Sequence, residues 1–122
     1  MTEFKDLVGK TLTHIENNEY EIVFTASDGE IYKLHHHQDC CESVTVEDVV
    51  GDLNDLVGNP ILLAEEVIYD GENPPGVEIP DYQESFRWTF YKLATIKGYV
   101  DIRWYGSSNG WYSEAVSFDK VA

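Results

Sequence analysis

The residue types best suited to chemistry at neutral pH are concentrated in residues 35–42, which read His-His-His-Gln-Asp-Cys-Cys-Glu. This stretch contains three of the four histidines and both cysteines of the chain. Because imidazole and thiolate are preferred zinc ligands, His36 with Cys40 or Cys41, completed by His14 or an acid, could bind zinc. Two adjacent cysteines chelate one ion less readily than a Cys-x-x-Cys pair. A zinc site at His36, Cys40 and Cys41 is therefore an alternative to a structural role.

In the structural interpretation, His36 and one cysteine pack inward, because a buried free cysteine behaves as a small apolar residue. Alternation along a predicted strand over residues 31–38 places His36 on the apolar side and its two histidine neighbours on the other. A reactive thiolate needs a nearby cation or a helix N-terminus, and Asp39 and Glu42 would oppose its formation. We therefore predict no catalytic residue, no cofactor and no enzyme activity.

Length and composition indicate one folded domain over residues 1–122. The chain has 122 residues, of which 43% are hydrophobic and 13% aromatic, a composition too apolar for a disordered tail. It has no apolar run of the roughly 18 to 20 residues that a membrane helix needs, and its first residues lack the features of a signal peptide. Adjacent cysteines are poor disulfide partners, so two free thiols and a cytoplasmic location are expected.

The charge is strongly negative and unevenly distributed. Eight Lys and Arg oppose 23 Asp and Glu, which gives a net charge of −15 and disfavours direct binding to nucleic acid or to an anionic membrane. Residues 34–86 contain no Lys or Arg but 13 acids. Such a segment could steer a basic partner by its field, as a nucleic-acid mimic does, or could merely keep the protein soluble. The predicted partner-binding residues are Glu47, Asp48, Asp52, Asp55, Glu65 and Glu66.

Hydrophobic periodicity predicts a mainly β protein of the α+β class. About seven strands are expected, either as one strongly curved antiparallel sheet or as two packed sheets. Apolar residues at helical spacing predict one short amphipathic helix over residues 46–57, with Val49, Val50, Leu53, Leu56 and Val57 on its buried side. Residues 85–95, 99–106 and 111–118 predict a C-terminal three-stranded meander. The proline-rich segment 70–81 is expected to be an exposed loop.

Several segments together resemble a family of small bacteriophage proteins of unknown function. The resemblance is carried by residues 6–12, by the His-x-Gln-Asp-Cys-Cys-Glu run from His36 to Glu42, by residues 49–58 and 64–66, and by residues 89–92 through 103–106. It covers nearly the whole chain apart from the loop at residues 70–81. The resemblance implies a phage origin and expression in a bacterial host, and it assigns no catalytic residue.

Two functions follow as hypotheses. In the first, the chain is an acidic phage accessory protein in the host cytoplasm that inhibits or modulates a basic host protein, such as a defence nuclease or another nucleic-acid-binding protein. In the second, it is a metal-binding or small-ligand module built on the histidine and cysteine cluster. In that module Trp88, Trp104 and Trp111 could line a pocket or a homodimer interface. Steep salt dependence of partner binding would favour the first hypothesis, and sensitivity to a chelator the second.

Overall fold

The computed structural model describes residues 2–80 and 83–122. Within these residues the regular structure is eight β-strands and two short 3₁₀ turns. The turns are Phe4–Leu7 and Leu53–Leu56. The strands are β1 Leu12–Asn17, β2 Glu21–Ala26, β3 Ile31–His35, β4 Ser43–Val50, β5 Leu63–Asp70, β6 Ser85–Thr95, β7 Gly98–Ser108 and β8 Ser117–Lys120.

The strands form two antiparallel sheets of four strands each. The first sheet has the order β1-β2-β3-β8 and the second the order β4-β7-β6-β5. The prediction of a mainly β protein is confirmed, and of the two predicted arrangements the two-sheet one is found. The first sheet shows why alternation was informative, since Ile22, Phe24 and Ala26 of β2 are buried and the residues between them are half-exposed.

The core lies between the inner faces of the two sheets. Val100, Ile102 and Trp104 of β7 are fully buried in it. Phe4, from the first 3₁₀ turn, joins the sheets, because its ring centroid lies 6.5 Å from that of Phe24 in the first sheet and 4.8 Å from that of Tyr91 in the second. Burial of such aromatic and branched side chains supplies most of the free energy that stabilises a fold of this kind.

The predicted helix over residues 46–57 is wrong in most of its length. Its first half is the end of strand β4, and only Leu53–Leu56 turns, as a single 3₁₀ turn. Gly51 lies between them with a φ of 106°, and a Cβ at this position would lie 2.6 Å from the Tyr99 carbonyl oxygen. A positive φ ends a right-handed helix, and the β-branched residues before it favour a strand. Leu56 is fully buried as predicted, whereas Val50 is 56% exposed.

The predicted C-terminal meander is correct in its first two strands and wrong in its third. Strands β6 and β7 pair along their whole length, but residues 111–116 form no strand. Ser117–Lys120 instead pairs with β3 in the first sheet, with Lys33 opposite Asp119. The last strand therefore ties the C-terminus to the N-terminal hairpins. Trp111, predicted to begin the third strand, is 86% exposed.

The proline-rich loop covers the outer face of the second sheet. Asn73 accepts a hydrogen bond from the Trp88 indole at 2.9 Å and exchanges two more with Gln83. The Trp88 side chain points away from the core, but it is only 1% exposed because the loop covers it. Pro74 of the loop is buried as well. Most of the described residues of the loop are exposed, as predicted, although Asn73 and Pro74 pack it against the sheet. Its residue Asp81 lies outside the described residues.

Candidate functional site

Residues 36–42 fold into a loop around the carboxylate of Glu42, whose side chain is fully buried. Its Oε2 accepts hydrogen bonds from His36 Nε2 at 2.7 Å and from the Asp39 backbone N–H at 3.0 Å. Its Oε1 accepts from the Cys40 backbone N–H at 2.9 Å and from Gln38 Nε2 at 3.1 Å. Four donors therefore satisfy one buried carboxylate, as burial of a charge requires. The His-x-Gln-Asp-Cys-Cys-Glu motif, which we call the Glu42 loop, supplies all five residues.

His36 also joins this loop to the C-terminal segment. Its Nδ1 lies 2.6 Å from the carbonyl oxygen of Ala115, while its Nε2 faces Glu42. An acceptor thus stands opposite each ring nitrogen, and both contacts are hydrogen bonds only when both nitrogens carry a proton. The histidine side chain is 5% exposed, as the structural interpretation predicted for it. His36 accordingly links the buried Glu42 carboxylate to the C-terminal segment.

The pKa of Glu42 is low despite its burial. Burial alone would raise this pKa, but the hydrogen bonds from His36 and from the Cys40 and Asp39 backbone lower it from 4.5 to about 2. Hydrogen bonds donated to the charged form stabilise that form against protonation. Glu42 is therefore ionised at neutral pH and unsuited to donate a proton, which favours a structural role for the loop.

Cys40 and Cys41 are joined by a disulfide, so the expectation of two free thiols is wrong. Both residues are exposed, and neither packs inward as the structural interpretation proposed. The alternative zinc site at His36, Cys40 and Cys41 lacks free donors in this arrangement, because both imidazole nitrogens and both sulfurs already have partners. Bonded sulfurs also remove the reason for assigning a reducing compartment. His14 lies on β1 beside Glu16 and is exposed.

Two of the six predicted partner-binding acids, Glu47 and Asp48, are both paired with one arginine. A bulge in β4 between Val46 and Asp48 sets both acids against Arg103 of β7. Arg103 donates to Glu47 through Nε, and its Nη2 lies 3.5 Å from the Asp48 carboxylate. A β-bulge places two consecutive residues opposite one, which explains this pairing. These two acids are exposed but not free of a cation.

Asp52 and Asp55 belong to the second 3₁₀ turn. The Asp52 carboxylate accepts a hydrogen bond from the Asn54 backbone N–H at 2.9 Å and so caps the turn. Asp55 lies over the tight β6–β7 connection, where its Oδ2 would be 2.6 Å from a Cβ placed on Gly98. Each acid thus has a local structural reason for its position. Neither forms an ion pair within the described residues.

Glu65 and Glu66 lie on β5, an edge strand of the second sheet. Glu66 accepts a hydrogen bond from the Tyr91 hydroxyl at 2.8 Å, and burial together with the Glu66 charge raises the pKa of Tyr91 far above its usual value. Strand β4, which carries Glu47, is the opposite edge, about 14 Å away at three strand spacings. The six predicted residues are therefore divided between two edges and a turn rather than gathered in one patch.

One further cluster was not predicted as a site. His35 Nε2 lies 2.6 Å from the Asp119 carboxylate, and His37 Nε2 lies 3.4 Å from the same oxygen. Hydrogen bonding to His35 and the charges of both histidines lower the pKa of Asp119 against a smaller opposing effect of burial. Strand alternation did place both histidines on one side, but the sequence could not indicate that β8 pairs beside them.

Comparison with known proteins identifies a family but no activity. In the described residues no helix is long and apolar enough to cross a membrane. No curated protein and no solved structure matches the chain. A family model described as a domain of unknown function, DUF7448, matches residues 5–118, which include both sheets and the Glu42 loop. The chain therefore belongs to the DUF7448 family.

Proposed function

We propose that this chain is a phage accessory protein that binds a basic, nucleic-acid-binding protein of its bacterial host and inhibits or modulates it. The acidic surface would occupy the site where the host protein otherwise holds a phosphate backbone. In this proposal the chain is a binding protein rather than an enzyme, acts in the host cytoplasm and needs no cofactor. The phage origin rests on the resemblance of the sequence described above.

The observation that carries this proposal is that some acids form ion pairs with Lys or Arg whereas many others do not. Among the described residues, seven of the eight Lys and Arg already form ion pairs with acids, Lys97 being the exception. Eight of the acids that the structure describes within residues 34–86 have no such partner. They are Asp39, Asp52, Asp55, Glu65, Glu66, Glu72, Glu78 and Glu84. Most Lys and Arg side chains are therefore paired with acids of the same chain, and the remaining carboxylates are available to a partner.

The β5 edge offers a specific place for a basic side chain. A groove of about 590 Å³ lies between β5 and the first 3₁₀ turn, and it is lined by Glu3, Glu65 and Glu66 together with Phe4 and Phe118. Lys5, the basic residue in this lining, already pairs with Glu3 at 3.3 Å. A Lys or Arg side chain can place its alkyl stem on aromatic surface and its charge near carboxylates, so the groove suits such a ligand.

We therefore propose Asp52, Asp55, Glu65 and Glu66 as the principal contacts, with a smaller part for Glu47 and Asp48. The positive charge of Arg103 lies well within the screening length of about 8 Å from both carboxylates. It therefore reduces the attraction of Glu47 and Asp48 for a second cation. Attraction by the unpaired acids would act mainly on the association rate.

The test uses the intact protein, immobilised, and the heparin-binding fraction of a bacterial lysate, which is enriched in basic nucleic-acid-binding proteins. We expect it to retain at least one such protein at about 50 mM salt and to lose most of it at about 200 mM. Duplex DNA added in solution should displace the retained protein, because a nucleic-acid mimic and DNA compete for one surface.

Two double variants each remove two adjacent charges. They test whether the position of the charges on β5, rather than the total charge of the protein, determines the association rate. Glu65→Gln with Glu66→Gln should slow association by about tenfold, whereas Glu47→Gln with Asp48→Asn should change it much less. Equal retention by the parent and the β5 variant at every salt concentration would contradict the proposal. Retention that DNA does not reverse would contradict the mimicry.

A further inference from the structure

The outer face of the first sheet carries a cluster of two histidines and one aspartate at the junction of β3 and β8. His35 is the last residue of β3, and His37 follows two positions later, so both side chains are directed to the same face. Asp119 of β8 lies opposite Lys33 in the strand register, which makes it the diagonal neighbour of His35 on that face. The pairing of β3 with β8 thus brings Asp119 to two histidines that lie more than 80 positions earlier in the chain.

The ligand atoms in this cluster already converge. One nitrogen of each histidine and one carboxylate oxygen of Asp119 all lie within 4.8 Å of one another. The oxygen is 2.6 Å from His35 Nε2 and 3.4 Å from His37 Nε2, and the two imidazole rings have centroids 4.5 Å apart. All three side chains are therefore directed toward one region of the surface.

The cluster has the ligand types of a small transition-metal site, and one of its separations already matches such a site. Zinc binds imidazole nitrogen and carboxylate oxygen at about 2.0 to 2.2 Å, so two ligands of a tetrahedral site lie about 3.3 Å apart. The His37 to Asp119 distance is close to this value. The shorter contact of His35 is a hydrogen bond that the ion would replace, leaving the remaining ring proton of His35 on Nδ1. Two imidazoles also favour zinc and similar ions over Mg²⁺ or Ca²⁺, which prefer oxygen ligands.

The cluster is open on its solvent side, and among the described residues no Lys or Arg pairs with its aspartate. The His37 side chain is 70% exposed and the Asp119 side chain 48% exposed, whereas the His35 side chain is 17% exposed and fixes the base of the cluster. Lys33, the nearest basic residue in the β3–β8 register, pairs with Glu21 at 3.3 Å on the side of β2. An ion held by three protein ligands would therefore keep a position for water or for an external ligand.

We propose that His35, His37 and Asp119 form a binding site for a divalent transition-metal ion of the zinc class. The site lies on the outer face of the first sheet, away from the β5 edge of the second sheet, and uses His37 of the Glu42 loop but none of the donors to Glu42. It therefore does not depend on the proposed function. Because His35 belongs to β3 and Asp119 to β8, a bound ion would also join the C-terminal strand to its neighbour.

The experiment titrates the metal-free full-length protein with Zn²⁺ by calorimetry and with Co²⁺ by visible absorption. We expect one equivalent to bind, and intense Co²⁺ bands typical of four-coordinate geometry. His37→Ala and Asp119→Asn should each weaken Zn²⁺ binding by about tenfold or more. Zn²⁺ should also slow hydrogen exchange of the β8 amides in the parent but not in Asp119→Asn.

Two control variants fix the location of the ion. His14→Ala removes the exposed histidine that stands beside Glu16, and replacing both Cys40 and Cys41 by Ser removes the sulfurs of the alternative site. Both variants should bind Zn²⁺ as the parent does. Loss of binding in either control, unchanged binding in His37→Ala, or less than about one-tenth equivalent bound at 100 µM Zn²⁺ would overturn the proposal. His37 is exposed, so its replacement tests the site without disturbing the core.

Discussion

Glu42 and Glu65 are the same amino acid in opposite settings within one acidic segment. The carboxylate of Glu42 is buried and accepts four hydrogen bonds, two of them from backbone N–H groups of its own loop. Glu65 lies exposed on an edge strand and forms no ion pair within residues 2–80 and 83–122. An acidic composition therefore contains two different contributions. One acid holds a loop together. The others give the surface negative charge, which can attract a basic partner or can keep an exposed edge strand from pairing with another sheet.

The largest effect should come from removing the buried carboxylate. Glu42→Ala leaves His36, Gln38 and two backbone N–H groups without their acceptor, and buried donors without a partner are strongly destabilising. We expect the melting temperature to fall by about 10 °C or more, measured by circular dichroism at pH 7. Glu65→Ala is the matched control and should change it by no more than about 2 °C. Similar losses in the two variants would mean that burial does not distinguish these acids.

The same carboxylate should make stability depend on acid pH. Because folding lowers the pKa of Glu42 from 4.5 to about 2, its stabilising effect is full above about pH 4.5 and is lost as the pH falls through 2. Glu42→Gln cannot be protonated, so the parent should exceed this variant in stability by a margin that shrinks between pH 5 and pH 2. Urea unfolding across this range measures the margin. A margin that stays constant would contradict the lowered pKa.

The sequence predicted the strands better than the connections between them. Alternation located β2, β3, β6 and β7 because each has one face in the core, where Phe24, Leu34 and Trp104 are fully buried. The valine and leucine stripe near residue 50 also fits a helix, but its β-branched residues pair with β7 and Gly51 has a positive φ, so a strand forms instead. Pairing of β8 with β3 joins positions 82 or more residues apart, which no local pattern specifies.

The candidate sites were predictable to a similar degree. The Glu42 loop was recognised as a cluster, and the inward position of His36 followed from alternation. Its centre was missed, because the acceptor role of Glu42 depends on how the loop backbone turns its N–H groups inward. The neutralisation of Glu47 by Arg103 depends likewise on the bulge in β4, which shifts the register by one residue. Charge counts from sequence therefore overstate the free acids at that edge.

Releasing the paired acids should have a moderate effect and sharpen the contrast with Glu65. Arg103→Met removes the cation that holds Glu47 and Asp48 and that lies 5.7 Å from the Trp88 ring centroid. We expect a loss of about 1 kcal/mol in the free energy of unfolding, the range for partly exposed ion pairs and cation–π contacts. Binding to the heparin-fraction partner should become several-fold stronger at low salt. Weaker binding in this variant would argue against attraction by free carboxylates.

The smallest effect on stability should accompany the loss of the free acids. Replacing Asp52 and Asp55 by Asn and Glu65 and Glu66 by Gln removes four charges but keeps oxygen acceptors, including the Asp52 cap and the partner of the Tyr91 hydroxyl. Reduced repulsion should leave the melting temperature unchanged or slightly higher, while capture of the basic partner is mostly lost. The unchanged circular dichroism spectrum serves as the control for folding. If melting falls as far as in Glu42→Ala, these acids hold the fold rather than a partner, and the proposed division between buried and free carboxylates is wrong.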